Sequence, residues 1–229
     1  MVATSDVRSA LLTRQDPAQP FVTHIGPDGR MELSGVSVAN AAAKIANALA
    51  GEFGLQPGDS VGVHLPWHWQ RVTWLIGIWS AGFTVVPGGG EECDLMVAGP
   101  QEAAGLPGGV QVVSVHPFGM PLDASQLAQL PPGMEDITLA VRAQPDQQVF
   151  SADHSQAIAL DGLTQTELLE RGREWDRAHP GVLRIGMTPG MDQWWLPAIW
   201  PLVSDGSVVL ADTIDVEFMD AERIEYVTS

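Results

Sequence analysis

Residues 33–90, LSGVSVANAAAKIANALAGEFGLQPGDSVGVHLPWHWQRVTWLIGIWSAGFTVVPGGG, constrain the fold more than any other part of the chain. Ser37 stands where a helix cap is expected. Val38, Ala42, Ile45 and Leu49 then recur at three- and four-residue steps, and Gly51 and Gly54 end the run. Pro57 and Gly58 turn the chain into a predicted strand, Ser60 to Leu65, with Val61, Val63 and Leu65 on one side and Pro66 as its stop. The spacing predicts a second helix from about His68, with Val72, Leu75, Ile76 and Trp79 on one face, closed by Gly82 before a short strand Phe83 to Val86. A strand, helix, strand sequence of this length is a parallel crossover, so the chain is expected to build parallel sheet covered by helices.

The same order returns in DGLTQTELLERGREWDRAHPGVLRIGMTPGMDQWWLPAIWPLVSDGSVVL, residues 161–210. Thr164 and Glu167 have the spacing of a capping box, Leu183 to Met187 reads as a strand, and Trp195, Ala198, Ile199 and Leu202 share a helical face. Pro197 and Pro201 are expected to bend or divide that helix. The expected fold class is therefore α/β, with two related parallel-sheet and helix units stacked about a pseudo two-fold because each leaves an apolar sheet face to cover. The expected organisation is one globular unit over 1–229, with a first subdomain over 1–150 and a shorter second one over 151–229.

Around this frame, Ser5 is positioned to cap a short helix through Leu12 and Thr13, and Phe21 to Ile25 and Met31 to Leu33 flank the turn GPDG as a hairpin that covers a sheet edge. Cys93 to Ala98, Val110 to His116 and Ile137 to Val141 read as further strands, and Leu122 to Leu130 as a short helix. Gln144 to Ser155 is polar and irregular. From Asp212 to Glu225 the chain is acidic, with a terminal helix and edge strand expected.

Charge excludes several functions. With a formal charge of −17 and only 11 basic residues, neither nucleic acid nor an anionic membrane is an expected partner, because phosphate binding draws on Lys and Arg clusters. The most apolar run, Trp74 to Val86, is interrupted by Gly77, Ser80 and Gly82 and falls short of the roughly 20 residues of a membrane span. Cys93 is the single cysteine, which rules out an intrachain disulfide and fits a reduced setting, and MVATSDVRSALL lacks the pattern of a secretory signal, so a cytoplasmic location is expected. The six histidines, at 24, 64, 68, 116, 154 and 179, show no metal-ligand spacing, and no metal is expected. Asp153, His154 and Ser155 hold the residue types of a hydrolase, but a triad converges from distant positions. Gly88 to Gly90 follow a strand without the GxGxxG pattern of a phosphate loop.

PGDSVGVHLPW at 57–67 followed by AGFTVVPGG at 81–89, and PLVSDGSVVL at 201–210, resemble in order three phrases of the AMP-binding, adenylate-forming superfamily of acyl-CoA synthetases, luciferases and peptide-synthetase adenylation domains. The resemblance covers the N-terminal region of that family and implies two similar subdomains of parallel sheet flanked by helices. It departs at one place that matters. Between its two repeats the family carries a Ser, Thr and Gly rich phosphate loop ending in Lys; here the position reads FSADHSQAIALDG, with no glycine before Gly162. The family's adenine-binding and metal-contacting motifs and its lid lie beyond residue 229. Lys44, the sole lysine, matches no phosphate ligand and is expected on the solvated face of the first helix.

A phosphate loop supplies charged hydrogen bonds worth about 1.5–3 kcal/mol each, and losing three or four forfeits on the order of 5–12 kcal/mol, against about 8 kcal/mol for micromolar binding. The chain alone is thus expected not to activate carboxylates with ATP, and no catalytic residue or cofactor is assigned. Eight tryptophans, most of them in the two repeats, are expected to pack core or interface. Trp194 and Trp195 fall where the resembled family has an aromatic segment beside its acyl or aryl acid pocket, which marks them, with Asp192 at the mouth, as the candidate ligand site. Three readings stand: a noncatalytic binding or interaction module for a small carboxylic acid or acyl ligand, a component of an acyl or aryl acid adenylating ligase that works with a partner chain, and a structural homo-oligomer.

Overall fold

A computed structural model describes residues 6–88 and 93–228, so Ser5, Gly89 and Gly90 lie outside the described residues. The first helix, α1 (Val7–Leu12), is capped by Asp6, whose carboxylate accepts from the Ser9 amide. A hairpin of β1 (Pro20–Gly26) and β2 (Gly29–Ser34) leads into α2 (Gly35–Asn47), which widens into a π-helical turn over Ala48–Glu52. Ser34, not Ser37, caps α2. It leaves β2 in extended backbone, and its hydroxyl accepts from the Ser37 amide at 3.2 Å. Next come β3 (Ser60–His64), α3 (Trp69–Ser80) and β4 (Thr84–Pro87), as the periodicity predicts. The second repeat is β8 (Ile158–Leu160), β9 (Leu163–Thr164), α6 (Gln165–Ala178), β10 (Arg184–Met187), α7 (Leu196–Val203) and β11 (Ser207–Ala211), closed by α8 (Val216–Glu222) and an edge strand β12 (Tyr226–Thr228). Between the repeats run β5 (Leu95–Ala98), β6 (Gln111–Val112), α4 (Ala124–Leu127), β7 (Glu135–Asp136) and α5 (Thr138–Arg142).

Several expectations change here. Cys93 lies ahead of β5 and is half-buried, the strand expected over Val110 to His116 keeps only two residues, and the helix expected over Leu122 to Leu130 keeps four. Ile137 to Val141, read as a strand from its β-branched residues, is the helix α5. The Ile137 amide makes the last ladder bond, to the Val112 carbonyl, and the Asp136 carboxylate then accepts the Thr138 amide and starts a helical turn. The prolines do not divide α7: Pro197 sits in the first turn, where its missing N–H leaves no bond unmade, and Pro201 continues the helix. The Pro201 carbonyl accepts from the Arg14 guanidinium at 2.8 Å, and the same buried side chain also bonds the carbonyls of Pro20, Asp205 and Gly206, tying α1 to the second repeat.

Two sheets form, ordered β7-β6-β5-β3-β4-β8-β9 and β12-β10-β11-β1-β2. Neighbouring strands are parallel except within the two hairpins. Sheet membership does not follow the division at residue 150. The hairpin that precedes each repeat joins the sheet of the other: β1 lies parallel to β11, with Val22 opposite Val208, and β8 lies parallel to β4, with Leu160 opposite Val85.

Helices α3 and α7 are buried on nearly every side, while α2 and α6 cover them. One continuous core runs through both repeats, from Phe21 and Val61 to Trp79, Ile185 and Trp200. Each helix pair closes on a glycine. A Cβ on Gly77 of α3 would sit 2.7 Å from Ile45 of α2, and one on Gly172 of α6 would sit 2.7 Å from Ile199 of α7. Gly77→Ala should therefore destabilise the protein by about 1–3 kcal/mol through overpacking, whereas Gly51→Ala, with nothing within 4 Å, should leave stability unchanged or slightly raised. Urea unfolding of the two variants measures the difference.

Candidate functional site

Ligands of α/β sheets bind outside the carboxyl ends of parallel strands. Here those ends converge from both sheets on a cleft of about 300 Å³, walled chiefly by His24, Asp28, Trp67, His68, Glu102 and Asp212. His24 is carried by β1, Asp212 follows β11, Trp67 and His68 follow β3, and Glu102 follows β5.

His68 is buried and caps α3, its Nδ1 accepting the Gln70 amide at 3.2 Å. That bond places the ring proton on Nε2, which is buried and has no partner among the described residues. The His24 ring meets it edge-on at 4.4 Å. Burial, and secondly the neighbouring His24, push the His68 pKa down to about 3. Burial also lowers that of His24, against the opposing pull of Asp212, of the Trp67 carbonyl and of Asp28. Both shifts favour the uncharged rings.

Trp67 joins the cleft to the seam between the repeats. Its indole N–H donates to the Met187 carbonyl at the end of β10, at 3.1 Å. The Arg71 guanidinium lies 5.8 Å from the Trp67 ring centroid and 5.1 Å from that of Trp194, between two indoles that each offer a cation–π contact. Burial lowers the Arg71 pKa. Its Nη1 reaches the Leu65 carbonyl at 3.4 Å, its Nε is buried without a partner, and it makes no ion pair among the described residues. Of the candidate residues, Trp194 is thus in the stack. Trp195 is half-buried against the core at the start of α7, and Asp192 is exposed in the turn before it. Sequence reasoning missed Arg71 and the two histidines. The available signal was Arg71 itself, the single charge on the otherwise apolar helix WQRVTWLIGIWS.

The segment just ahead of the resembled phosphate-loop position, residues 142–149, is bound into the body of the protein. Lys44 is not a solvated lysine: its ammonium pairs with Asp146 at 2.8 Å and donates to the Arg142 and Gln144 carbonyls. Asn47 donates to the Pro145 and Gln147 carbonyls and accepts the Val149 amide at 3.0 Å. His154 packs against Gly82, and the Asp153 carboxylate accepts the Ser155 amide, so these neighbours form no triad. Among the described residues no cluster of three His, Cys, Asp or Glu is arranged to hold a metal, and no helix is long and apolar enough to cross a membrane.

This architecture is that of the N-terminal region of adenylate-forming enzymes, and residues 11–89 match the family described as AMP-binding enzyme. A Mycobacterium tuberculosis protein named only for its sequence family is 33% identical over 168 residues, covering 69% of this chain and 66% of that protein. Among solved structures, an acyl-CoA synthetase of Brucella canis superposes with a TM-score of 0.73 at 14% identity, over 97% of this chain and 46% of its own. Apo MatB of Rhodopseudomonas palustris does so with a TM-score of 0.71 at 14% identity, over 97% and 48%. The chain thus spans about two thirds of the curated relative and under half of these structures.

His68 generates a pH prediction. Its folded pKa is depressed, so below its ordinary value of 6.5 the unfolded chain binds a proton that the folded chain refuses. Stability therefore falls as pH drops from 6.5 toward 3, by at most about 3 kcal/mol between pH 7 and 4 from this group. His68→Asn, which keeps a capping acceptor, should flatten that part of the curve when unfolding free energy is measured across the range.

Proposed function

We propose that this chain is a binding module for a small carboxylic acid, built on the N-terminal fold of adenylate-forming enzymes and not activating the acid by itself. Arg71 carries the reading. In a chain with 28 acidic residues and 11 basic ones, this guanidinium is partly desolvated, sits between two indoles at the seam of the repeats, and has no carboxylate of its own among the described residues. A guanidinium with unused donors takes a carboxylate in bidentate fashion, and low water content strengthens the bond. Trp194 and Trp195 would receive the body of the acid, with Asp192 at the mouth limiting entry of further negative charge.

The stretch at the resembled phosphate-loop position, FSADHSQAIALDG at 150–162, supports the noncatalytic part, with no glycine before Gly162 and no lysine to hold phosphates. Lys44 and Asn47 hold residues 142–149, just ahead of that stretch, by their main chain, so the sole lysine is engaged outside it. A fatty acyl-adenylate ligase of L. pneumophila, solved with acyl adenylate and pyrophosphate, shares the fold at a TM-score of 0.64 and 13% identity over 40% of its chain, and the ligand chemistry of such a protein is carried to this one as a proposal only. The proposal includes a reduced cytoplasmic setting and no nucleic-acid partner.

Titration with aliphatic and aromatic carboxylates, followed by tryptophan fluorescence and melting temperature, tests it. At least one acid should quench fluorescence saturably and raise Tm, and Arg71→Met should weaken its binding at least tenfold while leaving the native mass unchanged. Flat titrations across the panel would remove the acid reading. Robust carboxylate-dependent exchange of pyrophosphate into ATP by the purified chain would replace it with the ligase reading.

A further inference from the structure

Residues 212–228 run along the outer side of β10 as α8 and β12, and little apolar surface holds them there. Ile224 is the single buried side chain among them. The seven residues of α8 bury none of their number, and a helix of that length has no stability of its own in water. β12 has three residues and pairs on one side, with Tyr226, Val227 and Thr228 opposite Ile185, Gly186 and Met187. The chief fastening is ionic and centred on Glu222. Arg30 of β2 grips its carboxylate with two donors, Nε at 3.0 Å and Nη2 at 3.1 Å. Arg184 of β10 adds Nη2 at 3.1 Å to the carboxylate and Nε at 2.7 Å to the Glu222 carbonyl. The Glu222 and Arg184 side chains are each 15% exposed, and a two-armed guanidinium grip on a carboxylate is a strong one. Glu225 adds a lesser tie, its carboxylate accepting the Leu183 and Arg184 amides.

We propose that residues 212–228 are a strap that opens while the rest of the molecule stays folded, that Glu222 fastens it, and that its closure holds Trp67 in place. Segments that open first are those with few buried apolar contacts, and the strap has one buried side chain where β10 and β11 beneath it are buried along nearly all their length. Met187 links the strap to Trp67. It ends β10 between Leu210 of β11 and Thr228 of β12, and its carbonyl accepts the Trp67 indole N–H at 3.1 Å. The strap also lies directly on the β10 backbone, since a Cβ on Gly186 would come within 2.7 Å of Ile214 and 3.1 Å of Ile224. Opening removes Thr228 from beside Met187 and both isoleucines from Gly186, so the end of β10 is held from one side and the indole loses a fixed acceptor. Trp67 flanks Arg71, so the strap regulates the acid site, a step that rests on the acid-binding reading of Arg71. An acid that needs Trp67 in place binds the closed form and, by reciprocity, keeps the strap shut.

Hydrogen exchange of the intact chain tests this. The Glu225 amide donates to the Arg184 carbonyl at 2.9 Å and reports the strap, while the buried Gln165 amide donates to the Ala157 carbonyl at 3.0 Å and reports the core. Corrected for intrinsic rates, Glu225 should exchange at least tenfold faster than Gln165 and with a weaker dependence on urea, because a smaller opening exposes less surface. Glu222→Gln, which keeps the shape and removes the charge, should speed the Glu225 amide and the Trp67 indole N–H alike, by about tenfold. Arg30→Met, at a more exposed position, should do so to a smaller degree and serves where Glu222→Gln fails to fold. Equal protection and equal urea dependence of Glu225 and Gln165 in the unaltered protein would overturn the strap. An indole rate that stays constant while Glu225 accelerates would overturn its link to Trp67. A carboxylate that quenches tryptophan fluorescence saturably should slow both exchanges as it saturates, and bound acid without slowing would overturn the regulatory step. Flat titrations with every acid remove that step together with the acid reading, and the exchange rates still decide the strap and its link to Trp67.

Discussion

Everything in this molecule depends on a reciprocal exchange of strands. Each repeat begins with an antiparallel hairpin, and each hairpin completes the other repeat's sheet, β1 beside β11 and β8 beside β4. Neither repeat can therefore finish its ladder alone, because the edge of its last strand is paired by backbone from the other half of the chain. Buried edges must be paired, and here the partner is supplied from far away in sequence. Side-chain bonds follow the same path: the Trp79 indole donates to the Ala159 carbonyl, and the Gln165 amide, at the start of α6, donates to the Trp79 carbonyl and accepts the Val7 amide.

The exchange explains the burial of α3 and α7. With the sheets interlocked, the two helices lie inside one core, and apolar residues that would otherwise form a single stripe are covered on all sides. Gly77 and Gly172 then serve the same purpose from opposite members of their pairs, letting an isoleucine from the adjoining helix approach the backbone. The site is a consequence of the same geometry. Interlocked parallel sheets bring the carboxyl ends of β1, β3, β5 and β11 together, and the chain leaving β3 places Trp67, His68 and Arg71 at the seam. Burial there disfavours the charged forms of His24 and His68 and leaves the guanidinium of Arg71 with indoles in place of water.

The resemblance to adenylate-forming enzymes and the clamped segment at 142–149 belong to one picture. The fold is shared with proteins such as the acyl-CoA synthetases, while the segment just ahead of the resembled phosphate-loop position is anchored by Lys44 and Asn47. A lysine on an amphipathic helix reads as solvated because nothing in its own helix pairs with it. Its partners, at 142, 144 and 146, lie about a hundred positions away, and only the packing of α2 against that segment brings them within reach.

The sequence by itself determined the local elements whose stabilising groups are neighbours: the 3.6-residue periodicity of α2, the alternation of β3, the turn chemistry of the first hairpin, and the Thr164 and Glu167 capping box, which forms as its spacing requires. It also determined the repetition of those elements and with it the α/β class. Tertiary structure alone decided which sheet each hairpin joins, because pairing of Val22 with Val208 and of Val85 with Leu160 spans too much sequence to leave a periodicity to read. It decided that Ile137 to Val141 coils, because the Asp136 carboxylate and the Val112 carbonyl end the strand whatever the β-branched residues prefer. It likewise decided the surroundings of Arg71, since a charge acquires its character from the groups around it, and Trp194 reaches that guanidinium from the other repeat.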